Sequence, residues 1–159
     1  MRRLYPVSDN DPPVRARKDH PRAVCEDPRV QIDGLTAYAH VADVDRSVEF
    51  YRHFGLELVN THSSGGNLVW AFIASPSDDP REAGARLMLA RADGPFDAAS
   101  QAVLFYCWTA DVQGLHDELT AAGMEVGGVE HPFYMPAGEF RAIDPDGYVV
   151  LVGQLDDAD

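Results

Sequence analysis

The chain repeats one stretch of its own sequence, and this repeat limits the folds that it can adopt. Tyr38–Leu58 reads YAHVADVDRSVEFYRHFGLEL, and Tyr106–Val126, 68 residues later, reads YCWTADVQGLHDELTAAGMEV without a gap. Six of the 21 aligned positions are identical, and they are Tyr, Ala, Asp, Val, Gly and Glu. In each copy an apolar strand pattern precedes the shared Asp, and a helical pattern follows it. The sequence therefore predicts a duplicated β-α-β unit.

The shared Asp and the shared Gly mark the two ends of each predicted helix. Asp43 and Asp111 stand where a carboxylate can accept a hydrogen bond from an N–H of the first helical turn. Gly55 and Gly123 stand just after the helices, where a residue with positive φ ends a helix at little steric cost. The apolar positions at helical spacing, which indicate one buried face per helix, are Val44, Val48, Tyr51, Val112, Leu115 and Leu119.

Further strand patterns complete two modules of the order β-α-β-β-β. In the first module, strands are predicted at 31–42, 56–61, 68–74 and 85–90, and the helix ends at Phe54. In the second module, strands are predicted at 102–109, 124–129, 139–143 and 148–153, and the helix covers 111–122. Short turns such as DPDG favour antiparallel neighbours with the helices on one side of the strands. The sequence therefore predicts an α+β fold.

The domain organisation follows from the position of the modules. We expect a single domain at residues 31–154, with the modules at 31–91 and 101–154. Residues 1–30 hold five of the 11 prolines and show no hydrophobic periodicity. This composition predicts a tail that is disordered or wraps over the domain.

The charge of the chain restricts its partners. The formal charge is −13, and residues 31–159 carry six Lys or Arg against 21 Asp or Glu. A domain this acidic repels nucleic acid and anionic membrane, and it suits a neutral or cationic small molecule. No apolar run approaches the roughly 20 residues of a membrane span, and no signal-peptide pattern is present. We therefore expect a cytoplasmic protein.

Three features together resemble the vicinal oxygen chelate superfamily, which includes glyoxalase I, extradiol dioxygenases, fosfomycin-resistance enzymes and bleomycin-resistance proteins. They are the stretch AHVADVDRSVEFYRHFGLEL, the closing stretch EFRAIDPDGYVVLVGQ and the tandem β-α-β-β-β layout. The resemblance covers roughly residues 31–154. It implies that the tandem modules form a curved, cup-shaped mixed sheet around a ligand, with the helices outside. It also implies a homodimer.

The metal positions of this superfamily hold other residue types here. Metal-binding members place a His seven residues before the capping Asp, and this chain has Thr36 there and Leu104 in the second module. The position that usually carries a Glu is Leu151. Thr offers a weak oxygen and Leu offers no donor, so the resemblance implies neither a metal at the usual site nor another cofactor. The remaining candidate donors for a displaced metal site are His40, His62, His131 and Glu139.

We expect one face of each module to line a ligand site, because side chains alternate along a strand. The candidate ligand-binding residues are Tyr38, His40, Trp70, Phe72, Tyr106, Trp108, Glu139 and Arg141. Pseudosymmetry between the modules predicts that Tyr38 faces Tyr106 and that His40 faces Trp108. Such aromatic walls suit a planar or amphipathic molecule, and a cation could lie over a Trp ring. Two alternatives stay open: the aromatic side chains fill a solid core, or Glu139 and Arg141 form an exposed ion pair.

These features favour a metal-independent protein of the bleomycin-resistance type, which sequesters a cationic or aromatic ligand rather than converting it. The alternative is a metal-dependent lyase, isomerase or dioxygenase of the same superfamily that uses a displaced site. A third hypothesis is a metal-free enzyme with His40 or Glu139 as general base. The sequence assigns no residue a catalytic role.

Overall fold

Seven strands and two helices make up the part of the chain that the structure, a computed structural model, describes: residues 34–80, 83–95, 97 and 103–155, all within the unit Asp33–Asp159. The elements are β1 (Ala37–Val41), α1 (Val44–Arg52), β2 (Glu57–Ser64), β3 (Asn67–Ala74), β4 (Arg86–Arg91), β5 (Leu104–Thr109), α2 (Val112–Ala121), β6 (Glu139–Ile143) and β7 (Val149–Gln154). Neither described helix is long and apolar enough to cross a membrane. The predicted tail at 1–30 lies outside the described residues.

The strands form two open mixed sheets. The first has the order β1-β4-β3-β2, in which β1 runs parallel to β4 and the other neighbours are antiparallel. The second has the order β5-β7-β6, in which β5 runs parallel to β7 and β6 is antiparallel to it. The predicted α+β class is confirmed, and the first module has the predicted order β-α-β-β-β.

Three predicted strands differ from the structure by three or more residues, and one of them, predicted at 56–61, extends to Ser64 as β2. The strand predicted at 124–129 is wrong, because this segment makes only the isolated bridge between Val126 and Ala142. Gly127 and Gly128 follow directly, and glycine weakens the interior of a strand since it has no side chain to pack. The first strand begins at Ala37, so the described residues 34–36 of the predicted strand lie outside it.

The helix ends agree with the repeat. The Asp43 carboxylate accepts a hydrogen bond from the Arg46 N–H at 3.0 Å, and Asp111 does the same for the Gly114 N–H at 2.8 Å. Gly55 and Gly123 have φ values of 76° and 77°, as a residue that ends a helix in the left-handed region requires. The predicted caps and the predicted stops are therefore confirmed in both modules.

One buried core joins the two modules. Its residues come from both sheets and both helices, and its largest fully buried apolar members are Phe140, Ile73, Leu89, Leu119, Val41, Val44, Val150 and Val152. Alternate residues of the strands point into this core, so the other face of each sheet is left for other contacts.

A hydrogen-bonded turn fastens helix α1 to the second module. The Tyr51 hydroxyl donates to the Asp144 carboxylate at 3.2 Å, and Asp144 also accepts from the N–H groups of Asp146 and Tyr148. Ser47 donates to Asp146 at 3.4 Å. Burial is the largest of the influences that together raise the pKa of Asp144 above its ordinary value, although the three hydrogen bonds oppose the shift. The turn Asp144–Gly147 thus has a structural role.

We expect Asp43→Ala to lower the free energy of unfolding by about 1 kcal/mol, because the helix loses its N-terminal hydrogen bond. Asp43→Asn keeps an acceptor at the same place and should cost only a fraction of this. Urea unfolding monitored by circular dichroism measures both variants. Equal stability of Asp43→Ala and the parent protein would contradict this account of the helix start.

We expect Asp144→Asn to gain stability relative to the parent protein as the pH rises through the acidic range. The folded pKa of Asp144 lies above the unfolded value of about 4. Its contribution to stability is therefore fully present below the unfolded pKa and is lost as the pH rises through the folded pKa. Urea unfolding from pH 3.5 to 7 measures this difference, with Asp45→Asn on the exposed side of α1 as control. If the free energy of unfolding of Asp144→Asn, relative to that of the parent protein, stays constant or falls as the pH rises, the raised pKa of Asp144 is contradicted.

Candidate functional site

The first sheet carries aromatic and polar side chains on the face opposite the core. Strand register places them in two rows, Tyr38–Met88–Phe72–Asn60 and His40–Ala90–Trp70–His62. Tyr38 and His40 are exposed, and their rings meet edge to face at 5.6 Å, while Ala39 and Val41 between and after them are buried. Trp70 and Phe72 are half-buried on the same face as predicted.

The second sheet has an equivalent face with three rows. They are Leu104–Val149–Ile143, Tyr106–Leu151–Arg141 and Trp108–Gly153–Glu139. Leu104 and Leu151, which stand at two of the usual metal positions, both lie here. Trp108 is 56% exposed and Tyr106 is 37% exposed, so these side chains do not fill a solid core within the chain.

Glu139 is the most densely hydrogen-bonded side chain of this face. One carboxylate oxygen accepts from the Tyr106 hydroxyl at 2.9 Å, and the other accepts from the Tyr134 hydroxyl at 2.8 Å. Only 6% of Glu139 is exposed. Partial burial and the hydrogen bond to Glu139 raise the pKa of Tyr106 to about 12, and the hydrogen bond to Glu139 raises the pKa of Tyr134. The two phenols therefore stay protonated donors at neutral pH.

Glu139 and Arg141 do not form the exposed ion pair that the sequence left open. Glu139 is buried and bonded to two tyrosines, whereas Arg141 is exposed and lies one row away on the same face. The ionic alternative for this pair was wrong, because Glu139 is not exposed and no ion pair joins it to Arg141 among the described residues.

Gly153 leaves the space through which Tyr106 reaches the Glu139 carboxylate. A side chain there would begin 2.7 Å from the Tyr106 hydroxyl oxygen and 3.3 Å from the Trp108 ring, so the two aromatic side chains lie across the bare backbone of β7. A lone glycine within a strand pattern is a signal of such close approach, and sequence reasoning could have used it.

Tyr134 belongs to the site although the sequence did not single it out. It lies in the segment between α2 and β6, which the paired backbone hydrogen bonds between Glu130 and Glu139 hold beside the sheet. The local sequence around Glu130 does not specify its pairing with Glu139, because this pairing depends on where β6 lies, and β6 begins nine residues later.

Tyr38 and His40 also line an open groove of about 550 Å³ at the junction of the two sheets. Phe105 and Tyr148 line it too, and the Tyr148 hydroxyl donates to the His40 carbonyl at 3.1 Å. Ring contacts pair Tyr38 with His40, and Tyr106 with Trp108, each along its own strand. That Tyr38 faces Tyr106 and that His40 faces Trp108 stay predictions.

The candidate donors of a displaced metal site are spread over the molecule. His40 lies on β1, His62 on β2 and Glu139 on β6, and the His131 ring contacts the Pro136 carbonyl at 3.0 Å. Within the residues that the structure describes, no three His, Cys, Asp or Glu side chains are grouped as metal ligands would be. Cys107 is a free, half-buried thiol whose pKa is raised by burial.

The sequence matches a known family over most of its length. The family model of the Glyoxalase/Bleomycin resistance protein/Dioxygenase superfamily covers residues 34–152. None of the curated protein sequences matches the chain at a significant level.

Solved structures share the fold. A bleomycin resistance determinant encoded on the transposon Tn5 is 16% identical, with 79% of this chain and 100% of that chain covered and a TM-score of 0.59. A bleomycin-binding protein complexed with bleomycin is 18% identical, with 79% and 100% covered and a TM-score of 0.55. The fosfomycin resistance protein FosX from Listeria monocytogenes, complexed with Mn(II) and a dihydroxypropylphosphonic acid, is 16% identical, with 77% and 93% covered and a TM-score of 0.56.

We expect Glu139→Gln to lower the pKa of Tyr106 and of Tyr134 toward the ordinary value of about 10, because both phenols lose a charged acceptor. Titration of the tyrosine ring carbons by NMR measures both values, with Tyr106→Phe and Tyr134→Phe to assign the signals. Glu118→Gln on the exposed side of α2 makes the same change of net charge. An equal effect of both Gln variants would contradict a specific role for Glu139.

Proposed function

Because the chain belongs to the glyoxalase/bleomycin resistance protein/dioxygenase superfamily, we propose that it binds a small organic molecule on the aromatic faces of its two sheets. It sequesters a cationic or aromatic ligand and uses no bound metal. It acts in the cytoplasm as a homodimer. The single observation that carries this proposal is the set of large apolar side chains exposed on the faces opposite the core, namely Tyr38, Leu104, Tyr106, Trp108 and Ile143.

Aromatic side chains in this position have a physical cost unless something covers them. Tyr38 is 55% exposed and Trp108 is 56% exposed, whereas their neighbours Ala39 and Cys107 pack toward the core. Burial of apolar area contributes roughly 25 cal/mol per Å², so a ligand that covers about 200 Å² gains about 5 kcal/mol before its ordering costs. Grouped exposed aromatic residues are typical of ligand and partner surfaces.

The residues at the usual metal positions support binding without a metal. Leu104 and Leu151 are apolar and lie one row apart on the second sheet, where they would desolvate a divalent cation without supplying a donor. The same two side chains offer a planar molecule an apolar floor beside Tyr106. This face is suited to dispersion and stacking rather than to coordination.

The relatives give the closest analogy for sequestration. One solved structure of the fold is a bleomycin-binding protein that holds bleomycin. The charge of −13 on this chain favours a ligand of positive charge, because a negatively charged protein surface raises the local concentration of cations. FosX, which holds Mn(II), shows that the same fold also accommodates a metal in another sequence.

We expect planar aromatic cations to raise the melting temperature of the protein and to change its tryptophan fluorescence saturably. The chain has two tryptophans, and Trp70 and Trp108 lie on different sheets, so each reports one face. In Trp70→Phe the signal comes from the second sheet alone, and in Trp108→Phe from the first. A panel that includes proflavine, and in which no compound shifts the melting temperature or either signal, would contradict small-molecule binding by these faces.

Metal content separates this proposal from the enzyme hypothesis. The purified protein is incubated with Zn²⁺, Ni²⁺, Mn²⁺ or Fe²⁺, desalted and measured by elemental analysis. The proposal predicts no stoichiometric retention of any of them. Retention of one equivalent that is lost in His40→Ala would contradict it, and would support the lyase, isomerase or dioxygenase alternative at a displaced site.

A further inference from the structure

Within the part of the chain that the structure describes, the Glu139 carboxylate is buried and makes no ion pair. Among the described residues, no Arg, Lys or His nitrogen lies within the 4.0 Å of an ion pair with Glu139. The phenols of Tyr106 and Tyr134 satisfy its hydrogen bonds, but they bring no positive charge. A buried carboxylate is costly unless a cation is near, so Glu139 is placed to attract a positive charge.

Aromatic rings form the accessible side of this carboxylate. The Tyr106 and Trp108 rings lie with their centroids 4.7 Å apart, and Gly153 leaves room for both beside Glu139. Trp108 and Tyr134 are each more than half exposed. The face of an aromatic ring attracts a cation, and the Trp ring does so more strongly than the Tyr or Phe ring.

We propose that Glu139, Tyr106, Tyr134 and Trp108 form a subsite for a substituted ammonium group of the ligand. This inference rests on the proposed function, since it specifies the charged group of a molecule that the aromatic faces bind. The rings contact the alkyl groups of the ammonium, and the carboxylate behind them supplies the opposite charge.

The burial of Glu139 favours an alkylated ammonium over a primary amine or a guanidinium. A primary amine or a guanidinium gains most from direct N–H···O contacts, but each oxygen of Glu139 already accepts a phenol O–H and the side chain is only 6% exposed. A trimethylammonium group donates no hydrogen bond, and its methyl groups bury apolar area against Tyr134 and Trp108.

Arg141 allows a test of whether charge governs binding at the subsite. It is exposed one row from Glu139 on the same face, and its position beside Leu151 brings a positive charge toward a bound ammonium. Loss of the Glu139 charge should weaken ammonium binding, and loss of the Arg141 charge should strengthen it. A site that only packs apolar surface would not show these opposite effects.

The probes are choline and its neutral isostere 3,3-dimethylbutan-1-ol, which have the same shape around the charged atom. Binding to the full chain is measured by NMR from the indole N–H signal of Trp108. We expect choline to bind more tightly than the alcohol. Glu139→Gln should weaken choline about tenfold, which corresponds to about 1.4 kcal/mol, and leave the alcohol within about twofold. Arg141→Gln should tighten choline about threefold. Glu118→Gln on α2 makes the same charge change as Glu139→Gln and should not alter the preference for choline.

Equal affinity for choline and the alcohol, or equal weakening of both by Glu139→Gln, would overturn the subsite. If Glu139→Gln proves unfolded by circular dichroism, Trp108→Leu replaces it, because this side chain is exposed and its loss leaves the core intact. Because this variant lacks the Trp108 indole signal, its binding is measured by ligand-observed NMR titration, as is that of the parent protein for comparison. Trp108→Leu should weaken choline more than the alcohol, and equal weakening would overturn the subsite. If planar aromatic compounds bind but choline does not, the subsite is wrong and the proposed function stands; if neither class binds, both are wrong.

Discussion

The alternation of side chains along each strand is the constraint on which the rest of the structure depends. Ala39, Val41, Ile73, Leu89, Val150 and Val152 point into a core shared by both helices, which commits one face of each sheet to packing. The neighbouring residues must then point the other way, because a slip of one residue would reverse both faces. In the proposed function, stability and binding therefore belong to opposite faces of the same strands. Tyr38 and Trp108 are exposed, whereas Ala39 and Cys107 beside them pack inward.

The second sheet shows how a small residue can create a polar site on an apolar face. Gly153 lies between Trp108 and Glu139 in the strand register. Since it has no side chain, Tyr106 can lean across β7 and reach the Glu139 carboxylate. Tyr134 then completes the pair of donors from outside the sheet. The result is a buried carboxylate held by neutral partners, which differs in kind from a surface ion pair because its charge remains uncompensated within the described residues.

Local sequence patterns predicted the parts of the fold that depend on local geometry. The Asp and Gly residues at the helix ends were predictable because capping and positive φ are properties of a few adjacent residues. That Tyr38 shares a face with His40, and Tyr106 with Trp108, followed from strand period, but their exposure did not. The strand predicted at 124–129 failed because periodicity does not register that its pairing with β6 stops after the Gly127 N–H donates to the Arg141 carbonyl. Of the candidate site, Glu139 was named but its partner Tyr134 was not, since their contact depends on the path of a long connecting segment.

We propose that the aromatic sheet faces, rather than a metal centre, bind the ligand. A two-dimensional NMR titration of the two indole N–H groups with proflavine, a planar aromatic cation, in metal-free buffer tests this. We expect the Trp70 or the Trp108 signal to move saturably, while an exposed residue of helix α2 such as Glu118 stays unperturbed. If both indole signals stay in place with metal-free protein and move only after a divalent metal is added, the claim is contradicted.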